Sequence, residues 1–531
     1  MTNPEPLTLN KVVSRRTLLL SAIVMPVLAA ACAGEQSAAV TAPSAPSAPN
    51  SSPDSVPGTT ATTVPPTTVP ALTDAEFVDH LMRRSTYGPT KALAASITAM
   101  GATAWIDQQL SPDAVDDETV EALLAQLPSI GMDPFDLRDT YDERRGQVIS
   151  ELTSARFVRA MYSERQLYEM MVAFWTDHFN IDMASGLIIF LKGRDEQEVI
   201  RPHALGRFSD MLIASAKSPA MLLYLDNSSS RADGDNVPNE NYARELLELH
   251  TVGVDGGYDE EDIAEVAHVL SGWTIDRGTA TMRFAAGRHS MDGVESVLGW
   301  KPQGLTGQAA GESLIDHLAH LPETAIFLAT KLCRRFVADD PPQDLIDRAA
   351  AEYLANDTEI APVMRLILTS DEFAGSSLLK VRRPLEMVAA HARVIGVEVD
   401  DPSGLRVLGP LLRQLGEPVY TWPTPDGPPD VAAPWINAGT MIQRWNISLS
   451  LAAGDLRGSS IDIEQHRPSG ATSTEDFVEQ VATSMTIHLD EVTLEAGRIL
   501  LEAGDRQLDP TPDELADLTA VLLASPAAQR R

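Results

Sequence analysis

The sequence predicts a mainly α protein: one large multi-helix domain with long loops and at most a short β-hairpin, behind a disordered tether. Three observations predict it. Apolar residues recur at the spacing of one helix face through most of residues 73–531. Strand-like alternation is scarce, and "TATMRFAAGRH" (279–289) is the stretch that suggests a short hairpin. Residues 33–72 are Ser, Thr, Ala and Pro with almost no large apolar residue, so they cannot bury a core.

Residues 1–32 read as an address, not as fold. "SRRTLLL" sets Arg15 and Arg16 before an apolar run that ends near Ala31, which resembles a twin-arginine export signal. The run has signal-peptide length and is too short to span a bilayer comfortably. Ala29, Ala30, Ala31 and Cys32 resemble a lipoprotein processing box, with cleavage after Ala31 at an A-x-A site as the rival. The expected location is extracytoplasmic, as a membrane-anchored lipoprotein. Membrane contact is expected only through a lipid at Cys32. The tether would hold the folded part off that surface.

The folded part opens at Thr73, a natural N-cap for "DAEFVDHLMRRS". Helical patterns follow at 91–110, 143–180, 204–216, 240–250, 260–271, 311–337, 343–355, 360–369, 379–395, 434–452, 474–485, 489–503 and 512–525. Long connections fall at 226–239, 272–310 and 396–434. Connections of that length are usually functional or disordered.

Charge bounds the partners. Forty-one Lys and Arg stand against 75 Asp and Glu, a net charge of −34 spread along the chain. That excludes nucleic acid, whose binding relies on basic residues to displace counterions. It leaves an envelope protein or a polysaccharide as the expected partner. Two cysteines, Cys32 and Cys333, permit no disulfide once Cys32 is lipidated or removed. Cys333, in "ATKLCRRFV", reads as a small buried residue.

Two helices place a histidine on an apolar arc. Leu167, Met170, Met171 and Phe174 lead along one face to His178 in "FWTDHFNI". In "NENYARELLELH", Asn239 is the expected cap; Asn241, Arg244, Glu245 and Glu248 share one arc, and His250 falls with the apolar residues. His178 and His250 could meet across a helix–helix contact, or each could be a satisfied core histidine. Gly253 ends that helix, and Asp259 with Asp262 caps the next. Glu265 and His268 form an E-x-x-H pair expected on the solvated face. Asp226, Asp233 and Asp235, in "LDNSSSRADGDNVPNE", offer oxygen ligands to a divalent cation, though the loop is not an EF-hand and a plain hydrophilic loop is the simpler reading. Tyr420, Trp422, Trp435 and Trp445 cluster beside prolines and are expected to pin a long loop to the core, a sugar or peptide platform being the rival. No Walker loop, dinucleotide fingerprint, H-E-x-x-H or G-x-S-x-G occurs.

Several segments together, "FWTDHFNI", "MLLYLDN", "NENYARELLELHTVGVDGGYDEEDIAEVAHVLSGWTI", "LPETAIFLATKLCRRFV", "KVRRPLEMV" and "LLASPAAQRR", resemble in the same order the bacterial domain-of-unknown-function family numbered 1800, over about residues 74–531. The resemblance implies an exported, helix-rich protein and names no reaction. It marks Trp175, His178, Asn239, Glu240, Arg244, Glu245, Glu248, His250, Gly253, Gly272, Trp273 and Lys331 as matching positions. It also marks departures: the family's His-Asp pair stands here as His289-Ser290, its nearby lysine as Glu295, the Gln of "LGQ" as Glu417, and a Trp as Pro428. With these, the catalytic candidates are His178, Glu240, Arg244, Glu245, Glu248, His250 and His289. The metal candidates are His178, His250, Asp226, Asp233 and Asp235. Such a set suits a metal-dependent hydrolase or another cofactor-bearing enzyme. The alternative is a non-enzymatic envelope scaffold or binding module.

Overall fold

The computed structural model describes residues 72–504 and 508–531. The expected export signal at Arg15 and Arg16, Cys32, and residues 33–71 of the expected tether lie outside the described residues. Within them most of the chain is helical, with two small antiparallel strand pairs and non-helical connections such as 289–306 and 415–432.

Local chemistry explains where helices start and stop. Thr73 caps Asp74–Ser85 in a reciprocal box: its hydroxyl accepts from Glu76 N, and Glu76 accepts from Thr73 N at 2.9 Å. Asp259 and Asp262 form the same box at the start of Glu260–Val269. The cap of Asn241–Glu245 falls at Glu240, one residue after the expected Asn239, whose Oδ1 accepts from Asn241 N at 2.8 Å in the turn that leads in.

Three long patterns divide. Residues 91–110 break at Gly101, whose φ of +88° ends Lys91–Met100 before Ala102–Gln109 begins. Residues 143–180 form Arg145–Tyr162 and Gln166–His178. Between them the Asp117 carboxylate accepts from Ser163 Oγ and Glu164 N, both at 2.8 Å, and holds the corner. Residues 311–337 divide before Pro322, which starts Pro322–Phe336 after Gly307–Ala319 ends.

The hairpin lies upstream of its expected place. Trp273–Asp276 pairs with Thr281–Phe284, and residues 286–288 form a turn of 3₁₀ helix. Trp273, fully buried, anchors it against Gly311, where a Cβ would collide with the indole. The second pair, Glu398–Val399 with Ser459–Ser460, has no sequence signal of its own at two residues a strand. Short helices at Glu118–Leu124, Pro134–Tyr141, Pro219–Tyr224 and Leu408–Gln414 fill stretches whose patterns are too brief to read.

One cluster of buried apolar side chains runs through the sequence from Val78 to Ala528. Cys333 lies buried in it. Among the described residues no helix is long and apolar enough to cross a membrane.

Candidate functional site

The Gln166–His178 helix ends at His178, with its apolar face against the core and the imidazole almost fully buried. Asn241–Glu245 is α-helical, and Leu246–His250 continues it as a π-helix. That wider turn brings the His250 carbonyl toward His178. The two rings meet at 6.1 Å between centroids, and His178 Nε2 lies 3.2 Å from His250 O.

A third residue completes the contact. Lys331, half-buried on Pro322–Phe336, sets its Nζ 2.9 Å from His178 Nδ1 and 5.3 Å from the centre of the Phe327 ring. An ammonium has donors only, so Nδ1 accepts and the proton of His178 sits on Nε2, donated to His250 O. Burial first, then the Lys331 charge, holds the His178 pKa well below its ordinary value. The same two causes bring His250 down to about 3. Burial pulls Lys331 down to about 8 against the opposing pull of Asp177 and Asp430. Trp175, Phe179 and Phe208 pack edge-on around His178 and dry its surroundings. Both ring nitrogens of His250 and the Tyr242 hydroxyl are buried without a hydrogen-bond partner.

The sequence candidates therefore separate. His178 and His250 are together. Glu240, Arg244 and Glu248 form a surface ion-pair fan: Arg244 binds Glu260 at 3.1 and 2.9 Å and lies 3.7 Å from both Glu240 and Glu248. Glu245 is half-buried and makes no ion pair with Arg244. Burial, Glu248 and Asp426 raise its carboxyl pKa, and Asp426 also acts on Tyr224 and Lys331. His289 packs on the hairpin instead; Nδ1 lies 3.0 Å from Ser271 O and Nε2 accepts from Gly307 N at 3.1 Å, so both nitrogens are spent on the loop. The neighbouring Ser290 carbonyl lies 3.2 Å from His268 Nδ1.

The metal candidates do not converge. Asp226 is exposed in a left-handed turn at φ +62°, Asp233 is held by Arg231, and Asp235 is exposed. His178 has one nitrogen accepting from Lys331 and the other carrying a proton, which leaves no lone pair for a metal. Among the described residues no three or more His, Cys, Asp or Glu side chains are placed to hold a metal ion. The E-x-x-H pair also differs from expectation: Glu265 is buried and accepts from Glu295 N and Ser296 N at 3.1 and 2.9 Å, because the 291–300 loop folds back over that face.

The aromatic cluster pins its loop. Asn180 Nδ2 donates to Trp422 O and Thr424 O at 3.1 and 2.8 Å, Met183 N donates to Tyr420 O at 3.0 Å, and Gly427 is pressed against Asp177 O. Trp422 and Trp435 lie 6.2 Å apart, with Arg383 over the Trp435 ring. Glu417 is buried and balanced by Arg383 at 2.6 Å. Arg383 also binds Asp177 at 2.7 Å, which ties this loop to the residue beside His178.

The sequence model of the family described as "Protein of unknown function (DUF1800)" matches residues 80–530. The chain belongs to this family. No curated protein and no solved structure matches it. In this DUF1800 chain the residue that sequence reasoning passed over is Lys331. It stood among the family-matching positions, one of seven lysines, yet nothing local tied it to a histidine 153 residues away.

Proposed function

We propose that this DUF1800 chain is an exported cell-envelope protein whose reactive group is the Lys331 amine, with His178 as its positioning residue. The observation that carries the reading is the 2.9 Å contact between Lys331 Nζ and His178 Nδ1. It fixes a half-buried amine on a dry imidazole, and burial lowers the amine's pKa to about 8. Such an amine gives up a proton far more readily than a surface lysine and can serve as a general base toward water or a substrate hydroxyl. His178 and His250 are too buried to touch a substrate, so they act through Lys331. The hydrolase reading is kept, and its base moves from a metal-bound water to an amine. Arg15 and Arg16 support export, and Cys32 supports a lipid anchor.

Competitive trace acetylation across pH tests this reading, since seven lysines are easily mapped by mass spectrometry. Lys331 is expected to reach half-reactivity near pH 8, with exposed Lys301 labelled in the same samples as the reference. Identical profiles at the two residues would remove the proposal. The second reading is an envelope scaffold or binding module, favoured by the near-complete burial of both imidazoles. It is the one that survives that outcome.

A further inference from the structure

A separate cleft lies under the 118–137 segment, where it crosses Arg145–Tyr162 and the start of Gln166–His178. It has two compartments, of about 220 and 380 Å³, that share Ile130, Gly131, Arg159 and Gln197 as a common wall. The larger has the size of small-molecule sites. Leu124, Val120 and Ile130 give one compartment an apolar side, and Leu137, Val148 and Leu152 do so for the other. The floor is a π-helix, Glu196–Ile200, a distortion found often at functional sites.

The polar groups on that floor have a definite character. Arg201 is bidentate to Glu169 at 3.0 and 2.7 Å, Arg194 binds Asp133 at 2.7 Å, and Arg165 Nε donates to Val115 O at 2.8 Å. Arg159 is the exception. Among the described residues its one side-chain hydrogen bond is a long one, 3.4 Å to Glu196 Oε1, and its guanidinium lines both compartments. The Ser129 hydroxyl, on the wall of the smaller one, is buried without a partner.

Carboxylates outnumber arginines along the lining, so a second anion would be repelled. The carboxylates nearest the floor already hold arginines, so a cation would have to displace them. What fits is a neutral group that donates and accepts at once and has apolar C–H faces. We infer that this cleft binds a neutral saccharide, with hydroxyls on Arg159, Glu196 and Gln197 and its C–H faces on Ile130 and Leu124. The inference does not rest on Lys331.

Saturation-transfer NMR on the exported protein tests it, with glucose, galactose, mannose, arabinose and N-acetylglucosamine as probes and octanoate as the anionic control. Gln197 is exposed, so Gln197→Trp fills the shared wall without disturbing the core, and Ile130→Trp fills it from the other side. At least one sugar is expected to receive saturation in the wild type and to lose it about tenfold in both variants, with melting curves unchanged in at least one. No transfer to any sugar would overturn the site. Undiminished transfer in a folded filling variant would overturn its place, and octanoate held more tightly than every sugar would overturn the ligand class. Co-sedimentation with cell-wall polysaccharide, competed by the same sugar, assigns the ligand to envelope glycan. Binding of the free sugar without co-sedimentation assigns it to a soluble saccharide, and both results support the cleft.

Discussion

At the residue scale, His178 is held by what its two nitrogens do. One accepts from a cation and the other donates to a carbonyl, so no other side chain of this size satisfies both partners. His178→Ala should cost about 2–4 kcal/mol, from lost packing plus an unpaired buried carbonyl, measured by denaturant unfolding. A cost under about 0.5 kcal/mol would mean that the pair is ornamental. Lys331 adds a pH signature. Its pKa is depressed from 10.5 to about 8 on folding, so in that interval the unfolded chain binds the extra proton. Stability should therefore rise as pH increases from about 8 to 10.5, against a general alkaline loss, and Lys331→Met should abolish the rise.

At the element scale, what could be read was what is local. The capping boxes at Thr73 and Asp259 are written within four residues, and the structure repeats them. The break between Tyr162 and Gln166 was not legible, because the apolar phase continues across it and the corner is held by Asp117, 46 residues upstream. The π-helix at Leu246–His250 was equally hidden: winding at 100° per residue still put His250 on the apolar side, but not its carbonyl against His178. Gly253, which terminates that π-turn, has φ +84°, and a Cβ there would lie 2.9 Å from the Phe327 ring that also carries Lys331. Gly101 has a similar φ, +88°, with open space around it. Gly101→Ala should cost about 1 kcal/mol from backbone strain alone. Gly253→Ala should cost about 1–3 kcal/mol more, and should also shift the Lys331 labelling profile. Equal costs would show that Phe327 yields freely.

At the scale of the whole molecule, fold class was legible and site was not. The helical repeat is a property of every segment, whereas Lys331, His178 and His250 converge from three segments with no shared local signal. Burial on this scale also sets an acid limit. His250 and His391 are both brought from 6.5 to about 3 by burial, so below pH 6.5 the unfolded chain takes up protons that the folded one refuses. Stability should begin to fall near pH 6.5 and keep falling toward pH 3, by several kcal/mol in all. Between pH 6.5 and 5 the carboxylates of Glu196 and Glu386, both lowered to about 2, are ionised folded and largely so unfolded, and the imidazoles dominate. Melting temperature against pH should show the decline, and His250→Asn should make it shallower, with the His391 share remaining. A flat profile in the wild type would refute the cause.

The helix Asp74–Ser85 bears on how the chain reaches this state. Asp79 takes its partner His488 across 409 residues at 2.8 Å, and the Arg84 carbonyl accepts from Arg531 across 447 at 3.3 Å. Closing loops that long costs chain entropy before any contact returns it. A ribosome must finish hundreds of further residues before that helix finds its seat. The nascent chain therefore waits with an amphipathic segment undocked, and the slowest step of folding should come after synthesis, at the closure between these distant segments.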